Sequence, residues 1–274
     1  MLKGKEIGLM AVASVSILML VATFYLLLQN KQVYDATLGH ITKNYRNNGN
    51  RIYKDHVPYE QFAEKKMYRW DAALYRKIAD NGYSIQAAGG DYIFAFFPLF
   101  PFLWKLSGLN AIQISLANYF FFAASLVILT LLFTRKDAKQ RWRYLVVLTG
   151  IPMLVVFLVP YTEGLFMITM TLALYGILRN RYVLYFTCAL LASMTRQSVS
   201  VLILAFFFTE LYFFFRHRSF INSMISWSLK ILPIVIGTAI VSVIQLMYKS
   251  NHLLKFIEVE KYWGYKLQWP GIFT

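Results

Sequence analysis

AIQISLANYFFFAASLVILTLLF, the stretch Ala111–Phe133, decides the fold. It carries no charged residue and exceeds the roughly 20 apolar residues that a helix needs to cross the hydrocarbon of a bilayer. Working outward, the pattern repeats. Downstream, runs 144–159 and 164–178 flank Pro160-Tyr161-Thr162-Glu163, runs 182–194 and 199–215 flank Thr195-Arg196-Gln197-Ser198, and run 229–248 closes the series. Upstream, run 7–28 follows Lys3 and Lys5. It is longer than a signal-peptide core and has no small-x-small cleavage site before Gln29, so it reads as a retained anchor. Run 93–106 is too short to cross, and Pro98 and Pro101 are expected to break its hydrogen bonding, which makes it re-entrant or interfacial. The expected fold is therefore all-α: a polytopic membrane protein of about seven transmembrane helices, with a long polar loop at about 29–92 carrying interfacial helices. One domain is expected over 1–274.

Composition agrees with this class. Hydrophobic residues make up 58% of the chain, and 28 Lys and Arg against 13 Asp and Glu leave a net charge of +15. In a soluble protein that excess would suggest nucleic acid. Here the basic residues sit mostly in short loops and in the long loop after the first span, which fits membrane orientation and anionic head groups better than a nucleic-acid groove, so no nucleic-acid partner is expected. Arg135, Lys136, Lys139, Arg141, Arg143, Arg179, Arg181, Arg216, Arg218 and Lys230 join Lys3 and Lys5 on one side, which marks the cytoplasm. The polar turns at 160–163 and 195–198, the loop at 29–92 and the segment after Tyr248 then share the outer face. The chain ends at Thr274 shortly after Trp269-Pro270, and the expectation is that C-terminal helices are missing.

Cys188 is the only cysteine, so neither an internal disulfide nor a thiolate metal site is available. His40, His56, His217 and His252 show no ligand spacing. Phosphate loops, H-E-x-x-H and G-x-S-x-G are all absent. A divalent cation held by Asp71 with Asp80 or Asp91 stays open, although no D-x-D spacing supports it.

The chemistry-bearing residues lie at the outer face. Trp70, Leu74 and Ile78 recur at helical spacing and Gly82 ends the pattern, predicting a short interfacial helix whose Trp70, Tyr75 and Tyr83 suit the head-group zone. Partial dehydration there raises a carboxylate toward useful general-base values, which points to Asp71. The plainer role is pairing of Asp71 with Arg69 or Arg76, or with the helix N-terminus. Glu163 opens the helix after Pro160-Tyr161, where capping and dipole pairing explain it. Arg196 interrupts two apolar runs that would otherwise merge, and ionisable groups at such depth face a cavity or a partner. Its planar fork suits phosphate oxygens; an ion pair with Glu163 explains it equally well.

Four blocks resemble one family. Trp70-Asp71-Ala72 with Tyr75, Ile78-Ala79 and Gly82-Tyr83 comes first, followed by Ala95-Phe96-Phe97-Pro98-Leu99-Phe100-Pro101. Pro160-Tyr161-Thr162-Glu163 and Ser193-Met194-Thr195-Arg196 then follow in order. Together they resemble the GPI mannosyltransferase 2 family and its prokaryotic relatives, with Gln197-Ser198 replacing the usual Pro-Thr. The resemblance implies a GT-C glycosyltransferase, a mannosyltransferase, that takes its sugar from a polyprenyl- or dolichyl-phosphate donor. It places the site outside a prokaryotic plasma membrane. Asp71 matches the family's catalytic acidic residue in the first outer loop. Trp70, Tyr75, Glu163, Arg196 and Arg69 are the expected substrate-binding set. Two readings compete with this one: a transporter or flippase of polyprenyl-linked sugars, and a non-catalytic membrane subunit. A transporter predicts an internal repeat, and none is evident.

Overall fold

The computed structural model describes residues 30–32, 64–68, 71–133, 140–141, 143, 157, 159–216, 219–248, 250 and 252–263. The expected anchor at 7–28, most of run 144–159, the basic residues Arg135, Lys136 and Lys139, and the segment 264–274 lie outside them. The chain divides into two compact units, Met1–Lys66 and Met67–Thr274. In the first, the Asn30 side chain accepts a hydrogen bond from the Gln32 N–H at 2.9 Å.

All regular structure among the described residues is helical. The α-helices are α1 (Asp71–Asn81), α2 (Ile85–Ala88), α3 (Leu99–Ser107), α4 (Ala111–Phe133), α5 (Glu163–Leu178), α6 (Tyr182–Ser193), α7 (Val201–Arg216), α8 (Phe220–Met247) and α9 (Lys255–Glu258). Single 3-10 turns at Asp91–Ala95, Gln197–Ser200 and Val259–Trp263 join them. Three of the described helical stretches, Ala111–Phe133, Gln197–Arg216 and Phe220–Met247, are long and apolar enough to cross a membrane. The 16 residues of α5 and 12 of α6 are shorter. At 1.5 Å per residue they reach roughly 24 and 18 Å, less than the ~30 Å hydrocarbon thickness.

Small residues set the helix contacts, as expected where apolar burial gives no preference for protein over lipid. Gly164 of α5 sits against Asn118 of α4, Gly176 of α5 against Tyr185 of α6, and Gly237 of α8 against Ser193 and Leu190 of α6, each too close to admit a Cβ. Polar side chains on α4 bond within their own helix: Ser115 to Ala111 O, Ser125 to Phe121 O and Thr130 to Leu126 O, all at 2.7 Å. That satisfies them where no water is available.

The prolines act differently from expectation. Pro98 is the N-cap of α3 and Pro101 lies in its first turn, where the missing N–H has no intrahelical partner to lose. They start a helix rather than break one. The Leu99 N–H at that start donates to Met194 O beyond the end of α6 at 3.2 Å, so two helix ends satisfy each other.

Two further expectations change. Tyr75 and Tyr83 are interior, 7% and 2% exposed, so their rings face protein and not lipid head groups. The buried face of α1 is Ala72, Tyr75, Ile78 and Ala79, with Leu74 only partly covered. Tyr75 packs edge-on to Phe96 and Phe100, at centroid distances of 5.1 and 5.3 Å, and thereby docks α1 on α3. Lys230, read from the sequence as a loop cation, lies inside α8, because that helix starts at Phe220 and not near residue 229. There it pairs with Glu210 of α7, whose carboxylate also accepts from Ser226 at 2.8 Å.

Candidate functional site

Alternating helix directions bring several polar segments to one end of the second unit. The Asn118 side chain, near the start of α4, accepts from the Leu165 N–H at 3.2 Å and donates to Val159 O at 3.2 Å. It thereby ties down the turn that leads into α5 and satisfies one of that helix's otherwise orphaned N–H groups. At the same end, Thr195 Oγ1 donates to Leu191 O at 2.8 Å, and Arg196 then swings into extended backbone at φ −151 and ψ 144. That break projects Arg196 away from the axis of α6. Gln245, fully buried near the end of α8, donates to Phe94 O at 2.7 Å and fixes the segment before α3. Arg179, Arg181 and Arg216 fall at the opposite helix ends.

Arg196 donates through one Nη to Glu163, forming an ion pair, and through the same nitrogen to Thr162 Oγ1 at 3.3 Å. The sequence left the Glu163 pair and phosphate binding open; the pair forms. Thr162 is fully buried, and its hydroxyl also meets the Tyr75 hydroxyl at 3.3 Å. Tyr75 thus sits inside the wall of the site rather than on its surface.

Asp71 opens α1 one turn before Tyr75. Its side chain keeps contact with solvent, yet the surrounding protein displaces enough water to raise its pKa. The Glu163 charge adds to that rise and Arg196 opposes it, so the three groups share one electrostatic site. Burial works against the Arg196 charge, but Glu163, Tyr75 and Asp71 together outweigh it and raise its pKa. Tyr161 stands beside both carboxylates. Burial first, then Asp71 and Glu163, push its phenol up to about 12, so it remains a donor at neutral pH.

Two of the residues considered beside Asp71 have other partners. Arg76 bonds Asp80 at 2.9 Å, and Asp91 pairs with Lys255 at 2.9 Å. Nine residues along α1 turn Asp80 to the face opposite Asp71, roughly 13 Å further along the axis, so the two cannot share a cation. Among the described residues no three potential ligands cluster for a metal. Arg69 and Trp70 lie outside the described residues.

Asp71, Tyr75, Ile78 and Gly82 form one stripe along α1. At its far end Ile78 and Gly82 line a hollow of about 500 Å³ with Leu99 and Phe102 of α3, Met194 after α6 and Tyr248 after α8. The wall is mostly apolar, with Lys105 as its one ionisable amine.

No family model, curated protein or solved structure matches the chain.

Sequence reasoning missed Thr162 and Tyr161 as site residues. Their signal was position: both stand beside Glu163 in the polar break between runs 144–159 and 164–178. It missed Glu210 as well, a lone acid in the run 199–215 whose partner lies in the next helix.

Proposed function

We propose that the protein is a membrane glycosyltransferase of GT-C type. It moves a sugar, mannose on the resemblance above, from a polyprenyl- or dolichyl-phosphate donor to an acceptor hydroxyl outside the membrane. The observation that carries this reading is the raised-pKa carboxyl of Asp71 beside the Glu163–Arg196 pair, assembled from three separated segments. The finer architecture belongs to the same reading: about seven crossings, the loop at about 29–92 outside, and the opposite ends in the cytoplasm of a prokaryote.

The acceptor oxygen attacks the anomeric carbon while its proton passes to Asp71. The bond from that carbon to the phosphate oxygen breaks, and the lipid phosphate leaves with the electron pair. Charge develops as in glycoside hydrolysis, so a base and an anion stabiliser suffice. Glu163 and Thr162 take hydrogen bonds from a single Arg196 nitrogen, and its other N–H groups form a fork suited to phosphate. The hollow begins roughly 10 Å along α1 from Asp71, a span that lets a head group sit at the carboxylate while the first isoprene units lie on apolar wall.

Asp71→Asn keeps size and hydrogen bonding but removes the base. Sugar transfer by purified membranes should fall by roughly 10²–10⁴ while donor binding persists. Unchanged transfer refutes the assignment. Binding and movement of the lipid with no transfer by the wild type would favour a flippase.

A further inference from the structure

We propose that Thr162 is the positioning residue that sets Asp71 and Arg196 relative to each other. The hydroxyl is fully buried and touches two side chains distant in sequence: Tyr75, 87 residues earlier, and Arg196, 34 residues later. Each contact has a different effect. Through Tyr75 the hydroxyl holds α1, and Tyr75 lies one turn from Asp71 on the same stripe. Through Arg196 it restrains a guanidinium that Glu163 alone would leave free to pivot about one ion pair. A carboxylate and a guanidinium joined by one contact can rotate; two acceptors on one nitrogen define a direction.

The proton count agrees. A threonine hydroxyl has one hydrogen and two lone pairs, and Arg196 can only donate, so Thr162 accepts from it. One lone pair and one hydrogen remain for the Tyr75 hydroxyl, and either direction of that bond satisfies both groups. Threonine therefore links a pure donor to an amphoteric phenol, which neither valine nor alanine can do. The turn that carries Thr162 is itself held by Asn118, so the linking oxygen stands on a fixed support.

The inference rests on the glycosyl-transfer reading for its kinetic consequence only; the restraint on Arg196 stands without it. The test uses the full chain in detergent or nanodiscs. Arg196 is modified with phenylglyoxal and the rate is followed by mass spectrometry of its peptide, which requires no turnover. Thr162→Val should speed modification on the order of tenfold, the loss of one charge-assisted hydrogen bond, while Thr162→Ser keeps the wild-type rate. Thr162→Ala removes the same hydroxyl without adding bulk and serves if the valine variant does not fold. In the transfer assay the valine or alanine variant should raise the donor KM and lower kcat, and serine should rescue both.

Wild-type modification rates in the valine and alanine variants overturn the proposal, as do serine and valine variants that behave alike, since the methyl rather than the hydroxyl would then matter. Absence of transfer by the wild type defeats the glycosyltransferase reading and leaves the modification arm decisive for Thr162.

Discussion

Replacing Lys230 by Met should destabilise the protein much more than replacing Glu210 by Gln. The two partners are unequally enclosed: the Glu210 side chain is 1% exposed and that of Lys230 24%. In Lys230→Met the stem volume is kept, but the Glu210 carboxylate loses the Lys230 ammonium while the Ser226 hydroxyl at 2.8 Å stays among its partners. Removing one member of a buried pair costs about 3–5 kcal/mol, because the charge left behind has surrendered its hydration. Glu210→Gln leaves the ammonium instead. That group sits on a flexible stem with some access to the surface, and glutamine still accepts a hydrogen bond, so the cost falls to about 1–2 kcal/mol. The double variant removes both charges, and its loss should lie near the Glu210→Gln value, well below the sum of the two single losses. The assay is thermal unfolding in detergent followed by tryptophan fluorescence. Trp227, which donates to Ile203 O at 3.2 Å across the same two helices, reports locally. Equal losses in the two single variants would contradict the unequal enclosure of the two groups, and additive losses in the double would mean that neither charge depends on the other.

Two other predictions concern the site and the hollow. Asp71 must be ionised to act as a base and its pKa is raised, so transfer should fall on the acid side at a pH above the ordinary aspartate value of about 3.9. Glu163→Gln removes a charge that raises this pKa and should move the acid limb of kcat/KM to lower pH; Arg196→Gln should move it higher, and opposite displacements in pH–rate profiles would contradict the placement. Gly82 and Gly108 offer a matched comparison, with φ of +64 and +63. Alanine at either strains left-handed backbone by roughly 1–2 kcal/mol. Only at Gly82 does the new Cβ meet the Tyr248 ring at the hollow. Both variants should melt earlier, and only Gly82→Ala should weaken binding of a fluorescent isoprenoid phosphate; equal binding by the two would remove the hollow from the lipid path.

How much of this was legible beforehand depends on the range of the forces involved. The helix Asp71–Asn81 and its stop at Gly82 were readable, because apolar spacing and a left-handed glycine act over a few residues. The start of α8 was not. Phe220–Leu229 mixes Asn222, Ser223, Ser226 and Ser228 with apolar residues, and a hydropathy window places the beginning of the helix too late. Pro98 and Pro101 misled for a related reason: whether a proline breaks a helix or opens one depends on which residue is first, and the contact that settles it comes from Met194, far along the chain.

Composition read along the chain was enough to show that it is helical and suited to a membrane, with its polar residues gathered in one long loop and in short breaks between apolar runs. Both follow from composition along a line, since a bilayer selects any sufficiently long uncharged helix whatever its neighbours. Tertiary structure alone decided which polar residues meet. It turned Tyr75 and Tyr83 inward, paired Arg196 with Glu163 and Lys230 with Glu210, and brought Asp71 under the influence of the first pair. The physical reason is that apolar surface is interchangeable between lipid and protein. Helix rotation and register are then fixed by close contacts at residues such as Gly164, Gly176 and Gly237 and by a few interhelical polar bonds, and neither leaves a mark in hydropathy.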